Sequence, residues 1–236
     1  MKTILITGGS KGIGASLVKE ALLNGFYVVF TYNKTKISAI SIEKRFKNQC
    51  LPIKVNLEKD KDRKKLFQII KKKKLKIDCL VNNAAFDVKR TKFTDLKISD
   101  IKKVYEVNVF AVYDVIKQAL KFMNNKDKWK SIINISSTAA KFGGQQFTHY
   151  APTKAAIENL TIGLSKELGN KKIRVLCVAP GVIDTKLVNR KNTNILKTIP
   201  NSRLGTPREV AKLIIWLSSN DAEYINGTTV TIAGGR

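Results

Sequence analysis

Histidine is almost absent from this chain: His149 is the only one in 236 residues. Zinc-type sites draw on histidine or on clustered cysteine. The three cysteines, Cys50, Cys79 and Cys177, are scattered with no C-x-x-C pair, so no metal site is expected. Their odd number argues for buried, reduced thiols and against a disulfide framework. The opening MKTILITGG runs from one lysine through a short apolar stretch straight into glycines, which is wrong for a secretory signal. No apolar run approaches the roughly 20 residues that a membrane helix needs. A soluble, cytoplasmic protein without a membrane partner is expected. A Ser-His-Asp triad is limited to His149, whose neighbour Tyr150 explains that region better.

Arginine is scarce as well. The net charge of +26 rests on 36 lysines against 8 arginines. A surface built to read nucleic acid leans on the planar fork of arginine, and these lysines are spread along the whole chain. In the densest stretch, KDKDRKKLFQIIKKKKLK (59–76), LFQII supplies the apolar face. The lysines then form the solvated side and the C-terminal end of a helix, where cations suit the dipole. Specific nucleic-acid binding is not expected.

What the chain does have is alternation. Strands are expected at 2–7, 27–32, 50–55, 76–83, 131–136, 173–180 and 228–235. Helices are expected at 12–25, 36–48, 59–73, 98–123, 150–169 and 206–219, the last with Thr206 as its N-cap and Pro207 in its first turn. Several strands are apolar throughout, as when both faces of a sheet are covered. This predicts an α/β fold: one doubly wound parallel sheet of about seven strands, a Rossmann fold, in a single domain over 1–236. Ligands of such sheets bind beyond the carboxyl ends of the strands, so the residues just after each strand are the candidates.

TGGSKGIG (7–14) follows the first strand and opens the first helix. Gly8, Gly12 and Gly14 let backbone N–H groups approach a phosphate at a helix N-terminus. The spacing is neither G-x-G-x-x-G nor that of a nucleoside-triphosphate loop. After the second strand, FTYNKTK (30–36) lacks the carboxylate that would hold the ribose 2′-hydroxyl of NAD. Asn33 and Lys34 stand there instead, with Lys11 in the glycine loop. Two lysines and no carboxylate favour a 2′-phosphate, and so NADP(H) over NAD(H).

Taken together, TGGSKGIG, NNAA (82–85), Asn108 in the long helix, Ser137 after a strand, Tyr150-x-x-x-Lys154 and PG (180–181) resemble the short-chain dehydrogenase/reductase family over essentially the whole chain. The resemblance implies an oxidoreductase that reduces a ketone, or oxidises the alcohol, by hydride transfer. It implies Tyr150 as general acid or base, Lys154 lowering its pKa and binding the nicotinamide ribose, Ser137 holding the substrate carbonyl, and Asn108 supporting a proton-relay water. It implies cofactor contacts from Gly8, Ser10, Lys11, Gly12, Ile13, Gly14, Asn33, Lys34, Asn56, Leu57, Asn82, Ala84, Pro180, Gly181, Ile183 and Thr185, besides Tyr150 and Lys154. The physics is consistent. A free tyrosine near pKa ~10 exchanges protons poorly at pH 7, and a cation one helical turn away stabilises its phenolate.

There are departures. NNAA stands for the usual NNAG, Asn56 replaces an acidic residue, Pro152 follows the tyrosine by two positions and biases Ala151 away from helical geometry, and TIAGGR lacks an aspartate. Substrate choice is expected in a basic segment at about 186–203. With RLGTPREVA (203–211), the chain looks most like 3-oxoacyl-(acyl-carrier-protein) reductases. A sugar, a polyol, a secondary-metabolite ketone or a non-catalytic nucleotide-sensing role are the alternatives. The resemblance further suggests a homotetramer, or a dimer, built on helices 98–123 and 150–169 and on the last strand.

Overall fold

The computed structural model describes residues 1–46, 48–86, 89–123, 129–185 and 193–236. Seven parallel strands form one sheet in the order β3-β2-β1-β4-β5-β6-β7. They are β1 (Thr3–Ile6), β2 (Tyr27–Tyr32), β3 (Cys50–Lys54), β4 (Cys79–Asn82), β5 (Lys130–Ile135), β6 (Ile173–Pro180) and β7 (Thr229–Ile232). The order reverses between β1 and β4, so a crevice opens at their carboxyl ends.

Alternation along the strands feeds two cores. Ile4 and Ile6 of β1 point to one face with Val28, Phe30, Val81, Leu176 and Val178. There they meet Leu17, Val18 and Ala21 of α1 (Gly12–Leu23) and Val210, Ala211 and Ile214 of α8 (Pro207–Leu217). Leu5, Val29, Leu80, Ile132 and Val175 point to the other face. There they meet Leu66 and Ile70 of α3 (Asp60–Lys72), Val115 and Ile116 of α5 (Ala111–Ala119) and Ile157 and Leu168 of α7 (Ala151–Leu168). A fully buried aliphatic side chain contributes about 1.5–3 kcal/mol, so this double burial explains why the strands read as continuous apolar runs. Leu80→Ala, at the sheet centre, is expected to cost about 2–5 kcal/mol.

The remaining helices are α2 (Lys36–Arg45), α4 (Ile98–Tyr105) and the short α6 (Ala139–Phe142). The helix expected at 98–123 is broken. Between α4 and α5 the chain makes a wider π turn, Glu106–Phe110, and the end, Leu120–Phe122, tightens to a 3-10 turn. Apolar residues keep their face on both sides of the π turn, so periodicity alone did not reveal it. Helix α8 starts as expected: Thr206 accepts from Glu209 N while the Glu209 carboxylate accepts from Thr206 N, a reciprocal capping box. Helix α7 begins at Ala151 despite Pro152, because a proline at the second helical position gives up only an N–H that would lack an intrahelical acceptor. Cys50, Cys79 and Cys177 are free and buried. Among the described residues, no helix is long and apolar enough to cross a membrane.

Candidate active site

Every expected site residue that follows a strand lands at the same edge, because all strands are parallel. The glycine loop leaves β1 and enters α1. Gly8 has φ +70°, a left-handed conformation that glycine adopts without a Cβ penalty. At Gly14 a Cβ would stand 2.1 Å from the Gly8 carbonyl oxygen, so the loop closes only around a bare Cα. Lys11 is the extended residue that caps α1, and Ile13 packs against the core. The Ser10 and Thr35 hydroxyls hydrogen-bond each other, joining the loop to the turn after β2 where Asn33 and Lys34 are exposed.

Three residues brace this loop without having been singled out in the sequence. Asn83 donates through Nδ2 to the carbonyls of Thr7 and Gly8 at 2.9 and 3.0 Å. Thr7 Oγ1 accepts from the backbone N–H of Asn83 and of Ala84, and Thr31 Oγ1 accepts from Gly8 N. Thr7 and Asn83 stood inside quoted motifs, but their partners lie about 75 positions away. Asn82 is tied into the sheet. It is 5% exposed, and its amide donates to Asn134 Oδ1, whose own amide donates to Thr161.

Thr185 reaches the glycine loop from β6. Residues 182–184 run beside Gly205 through Gly205 N→Val182 O and Asp184 N→Gly205 O. This pairing buries Ile183 in the core and leaves the Thr185 methyl 3.5 Å from where a Gly12 Cβ would sit. A cavity of about 350 Å³ lies there, lined by Gly12, Ser16, Lys19, Asp184, Thr185 and Pro207. Gly181 N donates to Ile232 O, and the Pro180 carbonyl accepts from Thr138 N. After β3, Asn56 Oδ1 accepts from Glu58 N, which leaves its amide nitrogen as the end for an external partner. Leu57 is buried beside it. Of the segment expected to choose substrate, residues 186–192 lie outside the described residues.

At the carboxyl end of β5 the polar groups gather. The Ser137 hydroxyl, which accepts from Ala139 N, lies close enough to the Tyr150 phenol to favour its ionised form. Tyr150 caps α7, and Lys154 sits one turn on with Nζ 5.5 Å from the tyrosine ring centroid. Lys154 is 3% exposed and donates to Ile135 O at 2.8 Å. Asn108, in the π turn, is 1% exposed; it accepts from Phe86 N and donates to Thr153 Oγ1. Thr153 in turn donates to Tyr150 O at 2.6 Å. His149 is buried next to Tyr150.

Burial dominates the titration of this cluster. It pushes the Tyr150 phenol up to about 12, with the nearby Ser137 hydroxyl working the other way. It pulls the Lys154 ammonium down to about 8. The lysine was expected to lower the tyrosine. Its ammonium donates to the Ile135 carbonyl and stands 5.5 Å from the tyrosine ring centroid. Tyr150 is therefore a neutral phenol at pH 7. Among the described residues, no group of three or more His, Cys, Asp or Glu side chains is placed to hold a metal ion.

A family profile described as Enoyl-(Acyl carrier protein) reductase matches residues 8–236. A 3-oxoacyl-(acyl-carrier-protein) reductase of Chlamydia pneumoniae is 34% identical, covering 99% of this chain and 96% of its own. Among solved structures, a short chain dehydrogenase from Burkholderia cenocepacia in complex with NADP matches with a TM-score of 0.93 at 27% identity, over 99% of this chain and 97% of that one. A 3-ketoacyl-(acyl-carrier-protein) reductase from Brucella melitensis complexed with NADH matches with a TM-score of 0.92 at 27% identity, over 100% and 98%.

Proposed function

The chain belongs to the short-chain dehydrogenase/reductase family of NAD(P)-dependent oxidoreductases, and from that premise we propose that it reduces the ketone of a 3-oxoacyl thioester carried on an acyl-carrier protein, with NADP(H) as its cofactor. The observation that carries this reading is Tyr150 at the start of α7 with Lys154 one turn behind it, Nζ 5.5 Å from the ring, and the Ser137 hydroxyl beside them at the end of β5. The full-length likeness to a 3-oxoacyl reductase supports the substrate class.

The residues present fit a dinucleotide. The left-handed Gly8 and the close-packed Gly14 make a cradle that a Cβ would fill, and the first turn of the twelve-residue α1 favours negative charge. Gly12 and Thr185 would hold the pyrophosphate side, Asn56 the adenine, and Lys11 and Lys34 a 2′-phosphate. When bound there, the cofactor supplies the hydride. The chain's own work is to place and protonate the ketone. Ser137 donates to the carbonyl oxygen, and Tyr150 passes its proton to that oxygen as it becomes an alkoxide, a base far stronger than a phenolate. Lys154 holds the nicotinamide ribose and lies where its charge eases the phenolate left behind. Asn108 supports the water that returns the proton. A phenol held near 12 stays protonated at neutral pH, as proton delivery to the ketone requires.

Exposed Phe110, Tyr113 and Ile162 on α5, its preceding π turn and α7 support assembly through these helices, as a homotetramer. The test is NADPH consumption with acetoacetyl-coenzyme A beside a panel of sugars and polyols. Turnover of the thioester above the rest supports the reading. Turnover only of a sugar or polyol overturns the substrate class and leaves the reductase.

A further inference from the structure

Outside the Ser-Tyr-Lys cluster, Arg63 in the first turns of α3 is a buried guanidinium paired with two carboxylates. It is 7% exposed and makes three close contacts, each to a different part of the chain. Its Nη1 donates to Leu57 O at 2.5 Å and to Glu106 Oε1 at 2.9 Å, and its Nε donates to Asp114 Oδ2 at 2.7 Å. Leu57 belongs to the turn after β3. Glu106 is the first residue of the π turn, and Asp114 lies on α5 just beyond it. Burial works against the guanidinium, but the hydrogen bonds of Asp114 and Glu106 outweigh it and hold the group charged.

We infer that Arg63 is a positioning residue: it fixes the π turn that presents Asn108 and ties that turn to the Asn56–Leu57 segment at the adenine end of the cofactor cleft. The inference rests on the proposed roles of Asn108 and Asn56. From Arg63 a continuous path runs inward. Glu106 opens the turn, and Asn108 lies two residues on. The Asn108 carboxamide is held by Phe86 N at 2.8 Å and by Thr153 Oγ1 at 3.2 Å, and Thr153 donates to the Tyr150 carbonyl. A π turn has wider, weaker hydrogen-bond geometry than the α-helix around it, and such turns gather at functional sites. One that must hold a carboxamide in register needs a fixed outer wall. A planar fork with several donors supplies it in a way that a lysine does not.

The test uses Arg63→Met, which keeps volume and removes the fork, with Arg63→Lys and Glu106→Gln as milder variants in case the first folds poorly. Amide hydrogen exchange on the free protein needs neither cofactor nor substrate. The inference expects the Phe86 amide and those of 106–110 to exchange at least tenfold faster in Arg63→Met, while core amides of β1 and β5 keep their rates. In the reductase assay at saturating NADPH, it expects kcat to fall at least tenfold with substrate KM nearly unchanged, and Arg63→Lys to recover part of the loss. It further expects Arg63→Met combined with Asn108→Ala to cost less than the product of the single losses, because both act on one carboxamide. A uniform rise in exchange across the core, with kcat per folded molecule unchanged, overturns the inference. If no ketone is turned over, the exchange pattern still decides it, so this inference and the reductase reading fail separately.

Discussion

Lys154 lies one turn from Tyr150 with Nζ 5.5 Å from its ring, yet its hydrogen bond goes to Ile135 O at 2.8 Å. At pH 7 the pair is thus a neutral phenol beside an ammonium that is still mostly protonated. Burial holds the phenol up at about 12 and the ammonium down at about 8. A tyrosine in that state stays protonated at neutral pH, the form that the proposed ketone reduction requires.

The same burial predicts a pH signature. The Lys154 ammonium titrates near 8 in the folded chain against an ordinary 10.5. Below about 8 both states are protonated, and the folded state carries the whole burial penalty. Between about 8 and 10.5 the unfolded chain binds more protons, so stability gains with pH. The relief is at most about 3 kcal/mol, or roughly 6–12 °C for a chain this size. Thermal melts of the parent and Lys154→Met from pH 7 to 10 should show the parent gaining on the variant. A constant gap contradicts the titration.

Gly14→Ala should damage dinucleotide binding more than it damages the fold. The added Cβ meets Gly8 O at 2.1 Å and Asn83 Nδ2 at 2.5 Å, so the loop must open. We predict a stability loss of about 1–3 kcal/mol and at least tenfold weaker NADPH binding, read by melts and by fluorescence titration.

Lys34→Glu should reverse the cofactor preference. With a carboxylate after β2, the 2′-phosphate meets repulsion and a 2′-hydroxyl gains an acceptor. NADPH affinity is expected to drop about tenfold or more while NADH affinity holds or rises. Equal losses for both would remove Lys34 from the 2′-site.

The α8 capping box gives an independent check of the structure. Arg203 and the Thr206 backbone and hydroxyl hold the Glu209 carboxyl down at about 2, against an unfolded value near ~4.3. Its stabilisation is therefore complete above that value and is lost as pH falls through about 2. Thr206→Ala should cost about 1 kcal/mol at neutral pH, a fall of roughly 2–4 °C, and the difference from the parent should shrink in acid.

The placing of the candidate groups was largely legible in the sequence. The glycine loop, Ser137, Tyr150 and Lys154 are residue types that their positions demand, and the alternating elements bring them to one edge. The bracing was not. Asn83, Thr7 and Thr31 act through partners in distant strands, which no local pattern encodes. The bond from Asn82 to Asn134, 52 positions on, belongs with this bracing. The π turn escaped because Val104, Val107, Val112 and Val115 keep an apolar face through it. Arg63 was readable in principle: it shares the 63, 66, 67, 70 spacing with Leu66, Phe67 and Ile70, all buried, but stood in a lysine run read as solvated.

The most direct test is Tyr150→Phe, assayed for NADPH-dependent reduction of acetoacetyl-coenzyme A together with NADPH binding. The phenyl ring keeps the packing and loses only the proton donor and its Ser137 partner. The account predicts a loss of turnover of about 10²–10⁴-fold with NADPH affinity within a fewfold of the parent. Turnover retained at the parent rate would contradict it.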